Sequence, residues 1–100
     1  MTRPTIVCLC GSTKFKTTFE QANRDETLLG KIVVGVAVFG HIDGVDPEAK
    51  LLLDELHFHK IDLADEILVL NVGGYIGFST AREIAYATSK SKVIRYLEAI

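Results

Sequence analysis

"EILVLNVGGYIGFSTAREIAYATSK", residues 66–90, decides the fold. Residues 66–72 are mostly branched and apolar, which suits a strand inside a sheet. Gly73, Gly74 and Gly77 break the run, and a helix is expected from about Ser79 to Lys90. The unit is therefore strand, glycine loop, helix. Working back toward the N-terminus, Pro47 follows Asp46 as a first helical residue should, and that helix is expected to run to about Leu63. Before it come a glycine- and aspartate-rich loop, "GHIDGVDPE" (40–48), and a strand, "KIVVGVAVF" (31–39). A polar helix from about Lys14 to Leu29 carries Phe15, Phe19, Ala22 and Leu29 as a loose apolar stripe, and Gly30 stops it. "TIVCLC" (5–10) reads as a strand buried on both faces, and "KVIRYL" (92–97) as a last strand.

Strands and helices that alternate in this way predict a parallel sheet with helices on both faces. The expected fold is α/β, a small four-stranded sheet of flavodoxin/Rossmann-like kind, as one domain over residues 1–100. No internal repeat, low-complexity tract or linker interrupts it.

Composition excludes several classes. Apolar residues make up 48% of the chain and charged residues 24%, which describes a packed domain and not a disordered one. The net charge is −2, and the eleven Lys and Arg form no basic stripe, so nucleic acid is not an expected partner. No apolar run approaches the roughly 20 residues of a membrane span, and no signal-peptide pattern opens the chain. A cytoplasmic protein is expected. Cys8 and Cys10 lie on one face of their strand, about 6.5–7 Å apart, at or beyond disulfide reach. They read as buried free thiols, with no further metal ligands nearby in sequence and no part in function.

In open α/β sheets ligands bind beyond the carboxyl ends of the strands. Three loops leave those ends: Gly11-Ser12-Thr13, Gly40-His41, and Asn71 to Phe78. All are rich in glycine or small polar residues, and two end at a helix N-terminus. Together they favour an anionic or sugar ligand facing free backbone N–H groups. Neither G-x-G-x-x-G nor G-x-x-x-x-G-K-[ST] occurs. Glu83 has two readings. Thr80-Ala81-Arg82-Glu83 matches the S/T-x-x-E capping box, in which the glutamate returns to the cap residue's N–H. Glu83 also follows the glycine loop on the ligand edge, where a carboxylate in the first helical turn faces the mouth of a pocket.

"ADEILVLNVGGYIGFSTAREIAYA" (64–87) resembles the signature region of the nucleoside 2-deoxyribosyltransferase superfamily, which includes the 2′-deoxynucleoside 5′-phosphate N-hydrolases. "IVCLCGSTKF" (6–15) occupies the place of that superfamily's first strand and substrate loop. The resemblance implies that Glu83 is the nucleophile, that Ser79 and Thr80 hold substrate, and that Gly11, Ser12 and Thr13 form the opposing wall. Gly77 falls where the transferases often carry an additional aspartate. His57 falls where the hydrolases have a sugar-binding aspartate, and Asp54 and Asp62, which flank it, are candidates to bind substrate in its stead. An oxocarbenium-like transition state suits a carboxylate on the sugar face, followed by attack of water or a second base. No cofactor or metal is implied.

Two further histidines are weighed alongside. His57 and His59, two apart on a helix, point to opposite sides and do not share a metal ion. His41 reads either as a contact to base or phosphate or as a solvated loop residue, and Tyr75 either stacks on a base or covers its loop. The leading expectation is an enzyme cleaving or transferring a nucleoside or nucleotide N-glycosidic bond. The alternative is a nucleotide-binding or nucleotide-sensing module without catalysis. Surplus leucines at 51, 52, 53 and 56, with the superfamily's habit of completing sites across subunits, predict a two-fold homodimer through the helix from Pro47 to Leu63. The bland alternative buries those leucines under the monomer's own sheet.

Overall fold

A computed structural model describes residues 2–100. Its elements are β1 (Ile6–Cys10), α1 (Lys16–Leu28), β2 (Ile32–Val34), a single turn α2 (Gly40–Asp43), α3 (Pro47–Leu63), β3 (Glu66–Val69), a 3-10 turn (Val72–Gly74), α4 (Phe78–Ser89) and β4 (Val93–Tyr96). All strand pairs are parallel and the order is β2-β1-β3-β4. This is the α/β, flavodoxin/Rossmann-like sheet that the alternation predicts.

Side-chain alternation along the central strands divides the core in two. Val7 and Leu9 of β1, with Leu68 and Leu70, pack on one face against Phe19 and Ala22 of α1. Cys8 and Cys10, with Ile67 and Val69, pack on the other against Ile61 of α3 and Ala87 of α4. Each fully buried large aliphatic contributes about 1.5–3 kcal/mol. Leu9→Ala, with its neighbours unable to close the gap fully, costs about 2–5 kcal/mol. Phe39 reaches back from its loop to meet Phe19 edge-on, with ring centroids 5.5 Å apart.

Polar ties fix both ends of the sheet. At the amino end, Asp65 accepts from both Arg3 guanidinium nitrogens (2.8 and 2.9 Å) and from the Ile6 N–H (2.8 Å). The Arg3 hydrogen bond, then the Ile6 N–H, hold the Asp65 carboxyl down at about 2. Beneath α1, Arg95 and Lys31 share the carboxylates of Glu26 and Glu66. At the carboxyl end, the buried Asn71 amide donates to the Glu98 carbonyl and accepts from the Glu98 N–H, both at 2.9 Å.

The elements differ from the sequence reading in three places. The strand expected over 31–39 pairs only across Ile32–Val34. Beyond it the Lys60 ammonium takes the Gly35 carbonyl at 2.8 Å, and the chain turns away to line a cavity. The loop that follows contains the α2 turn. The capping box does not form: Gly77 is the cap residue of α4 and no side chain caps it. Glu83 therefore sits in the second turn of α4, beyond reach of the helix end, and Thr80 is buried inside the first.

Leu51, Leu52, Leu56 and Leu63 of α3 are exposed, so the reading that buries the leucine surplus under the sheet does not hold. No helix among the described residues is long and apolar enough to cross a membrane.

Candidate functional site

β1 feeds α1 on one face of the sheet, and β3 feeds α4 on the other. Their loops therefore part at the carboxyl edge, where such sheets bind ligands. Two glycine features shape the gap. A side chain at Gly11 would put its Cβ 3.1 Å from Leu70 Cβ and 3.3 Å from the Leu70 carbonyl, so only glycine lets this loop pass close to β3. Gly73 (φ 61°) and Gly74 (φ 80°) turn the second loop through left-handed backbone. A cavity of about 470 Å³ results, a volume suited to a small-molecule ligand.

Its walls bring together Gly11, Ser12 and Thr13 from the first loop, His41 from α2, His57 from α3, and Gly77, Ser79, Thr80 and Glu83 from the second loop and α4. Thr13 Oγ1 and His41 Nδ1 lie 2.6 Å apart, which joins the first loop to α2. Asp62 is not in this group. Its carboxylate accepts from the Tyr86 hydroxyl at 2.7 Å on an exposed stretch of α3, outside the cavity. Tyr75 forms part of the rim; Lys14 Nζ stands 3.6 Å above its ring and Phe15 meets it edge-on. At Gly77 an added Cβ would meet Tyr75 Oη at 3.2 Å, so any larger residue there must displace the tyrosine.

Glu83 stands on the cavity floor with 13% of its side chain exposed. Oε1 is buried and has no hydrogen-bond partner among the described residues, and His57 Nε2 lies 3.6 Å away. Burial raises its pKa from 4.5 to about 7; the facing His57 pulls the other way, while Cys8 and Asp54 add to the rise. The carboxyl is thus poised to exchange a proton near neutral pH. Burial also works against a charged His57, but the hydrogen bond to the Cys8 sulfur and the negative charges of Glu83 and Cys8 outweigh it and raise the imidazole.

Sequence reasoning missed two contributions. Lys50, Leu53 and Lys60 line the cavity beside the expected His57 and Asp54, all five recurring at helical spacing along α3. That period was there to be found in the sequence. His57 and His59 do diverge: His57 is buried, whereas His59 is exposed beside Asp62. The second omission concerns Cys8 and Cys10. Both are fully buried, as free thiols should be, but further ligands do lie nearby in space. His57 Nε2 is 3.7 Å from Cys8 Sγ and 3.4 Å from Cys10 Sγ. Cys10, through its hydrogen bond, with His57 behind it, lowers the Cys8 thiol, while the Cys8 contact and burial raise Cys10.

Fold and cavity together define a parallel α/β chain with a ligand-sized site at the carboxyl edge of its sheet. No family model matches the chain, and searches of curated proteins and of solved structures give no match either.

Proposed function

We propose that this chain cleaves or transfers the N-glycosidic bond of a nucleoside or nucleotide, with Glu83 as nucleophile. The observation that carries the proposal is the buried, unpartnered Glu83 carboxyl on the floor of a cavity at the sheet's carboxyl edge. As the C1′–N bond lengthens, positive charge builds on the sugar and an adjacent carboxylate stabilises it. A Glu83 oxygen then bonds to C1′, the base leaves with the bonding electron pair and takes up a proton, and water or a second base releases the sugar. Burial strengthens this interaction because little solvent competes for the carboxylate.

The rest of the wall suits such a substrate. The first N–H groups of α4 have no side-chain cap and no partner within the helix, and they border the cavity beside the Ser79 and Thr80 hydroxyls. That arrangement favours a phosphate or an electronegative sugar oxygen. Lys50 and Lys60 supply positive charge on the opposite side. Ser12, Thr13 and His41 offer hydrogen bonds to sugar or base, and no cofactor enters the proposed chemistry. The homodimer belongs to the same proposal. Phe78, exposed at the start of α4, lines the cavity, and Leu51, Leu52, Leu56 and Leu63 are exposed on α3, the helix that supplies another wall; a second copy docked on these residues would narrow the opening.

The test is a panel of deoxynucleosides and their 5′-monophosphates assayed for free base, with binding followed by titration calorimetry. Base release that disappears in Glu83→Gln supports the reading. Binding of a nucleotide without any release by the wild type favours a nucleotide-binding module instead.

A further inference from the structure

Cys8, Cys10 and His57 converge from two elements on one point behind the cavity floor. The cysteines alternate along β1 and so share the face that α3 covers, and all three residues are buried. Their donor atoms lie within 4.8 Å of one another. His57 Nε2 stands at 3.7 Å from Cys8 Sγ, 3.4 Å from Cys10 Sγ and 3.6 Å from Glu83 Oε1.

These separations have a simple geometric meaning. Zn²⁺ binds thiolate sulfur at about 2.3 Å and imidazole nitrogen at about 2.0–2.1 Å in a tetrahedron. Neighbouring ligand atoms in such a tetrahedron lie roughly 3.3–3.8 Å apart, as follows from those bond lengths. The three distances from His57 Nε2 fall in that range, and the two sulfurs and the nitrogen lie mutually close; Glu83 Oε1 adjoins the nitrogen and joins the set only by shifting toward the sulfurs. Hydrogen bonding alone explains the thiol-to-imidazole contacts. It leaves Glu83 Oε1 buried and unsatisfied, which is a costly state for a polar atom.

We infer that Cys8, Cys10 and His57, with Glu83 moving in as the fourth ligand, form a binding site for a thiophilic divalent cation of the zinc class. Two thiolates and an imidazole select such an ion over magnesium or calcium. The ion enters from the cavity, which His57 and Glu83 border. On binding, each protonated thiol and the carboxyl release their protons to solvent, so the ion replaces protons and no redox partner is needed. With all four positions filled by protein the site is closed, a structural type and not a catalytic one. Occupancy draws Glu83 away from the cavity and shuts off any chemistry it performs there. The inference goes beyond the glycosidic proposal and its failure leaves that proposal standing.

The experiment titrates Co²⁺, then Zn²⁺, into chelator-treated full-length protein and needs no substrate. Expected are one equivalent of Co²⁺ with thiolate-to-cobalt charge-transfer absorption and tetrahedral visible bands, all lost on adding Zn²⁺. Cys8→Ser and Cys10→Ser should each weaken binding by more than the about 10–100-fold that outer-shell changes cause. Glu83→Gln should keep the thiolate bands with altered visible bands. A folded wild type that shows no thiolate-to-cobalt band overturns the inference without recourse to any variant. So does Co²⁺ binding that is unchanged in both cysteine variants.

Discussion

Glu83→Gln should stabilise the protein, and should do so more strongly as pH rises. The wild-type carboxyl ionises at about 7 in the fold against 4.5 when exposed, chiefly because burial disfavours its charge. Below pH 4.5 the group is protonated in both folded and unfolded chains and costs nothing. Between 4.5 and about 7 the unfolded chain gives up the proton while the folded one keeps it, so stability falls as pH rises. Above about 7 both forms are ionised and the full penalty applies, about 3 kcal/mol at about 1.4 kcal/mol for each tenfold change. His57, whose pKa is also raised in the fold, loses its contribution over rising pH, in the same direction. Glutamine cannot ionise. Its advantage over the wild type should therefore grow by about 2–3 kcal/mol between about pH 5 and about pH 8, or about 1–2 M in urea midpoint. Urea denaturation of both proteins across that range, with chelator present, measures it. An advantage that stays constant with pH would refute the reasoning, because it would mean that Glu83 is not a desolvated carboxyl in the fold.

Other outcomes follow from the same contacts. If Glu83 acts as an ionised nucleophile, kcat/KM for base release should rise with pH to a plateau through about 7; a fall over that range would mark it as a proton donor instead. Arg95→Ala should cost about 1–3 kcal/mol in chemical denaturation, since the nearly buried Glu26 and its neighbour Glu66 are left with Lys31 alone; no measurable loss would show that the cluster is solvated. Light scattering at micromolar concentration should give twice 11.0 kDa, and Leu52→Lys with Leu56→Lys should return the monomer mass, whereas a wild-type mass near 11.0 kDa removes the dimer.

Where local chemistry dictates structure, the sequence was a good guide. The α3 start is an example: Asp46 accepts from the Ala49 N–H at 2.8 Å, Pro47 takes the first helical position, and the helix runs to Leu63 as read. The glycine loop after β3 also falls where expected, because Gly73 and Gly74 adopt backbone that other residues avoid. Where distant residues compete, local pattern failed. The run from 31 to 39 has strand composition throughout, but Lys60, on another element, takes the Gly35 carbonyl and ends the pairing early. The Thr80–Glu83 spacing matches a capping box, but burying Thr80 starts the helix at Phe78 and moves Glu83 from the helix end to the cavity floor. Cys8 and Cys10 carry no local sign of company, since His57 lies 49 and 47 positions away along the chain and meets them only through the packing of α3 on β1.

The most direct test of Glu83 as nucleophile is intact-mass spectrometry of the chelator-treated protein, acid-quenched during incubation with a deoxynucleoside or deoxynucleotide from which it releases base. The account predicts a protein heavier by one deoxyribosyl group, or its phosphate ester, with the added mass on the peptide that contains Glu83 and absent from Glu83→Gln. Base release at an undiminished rate by Glu83→Gln, or an adduct mapped to another residue, would contradict it.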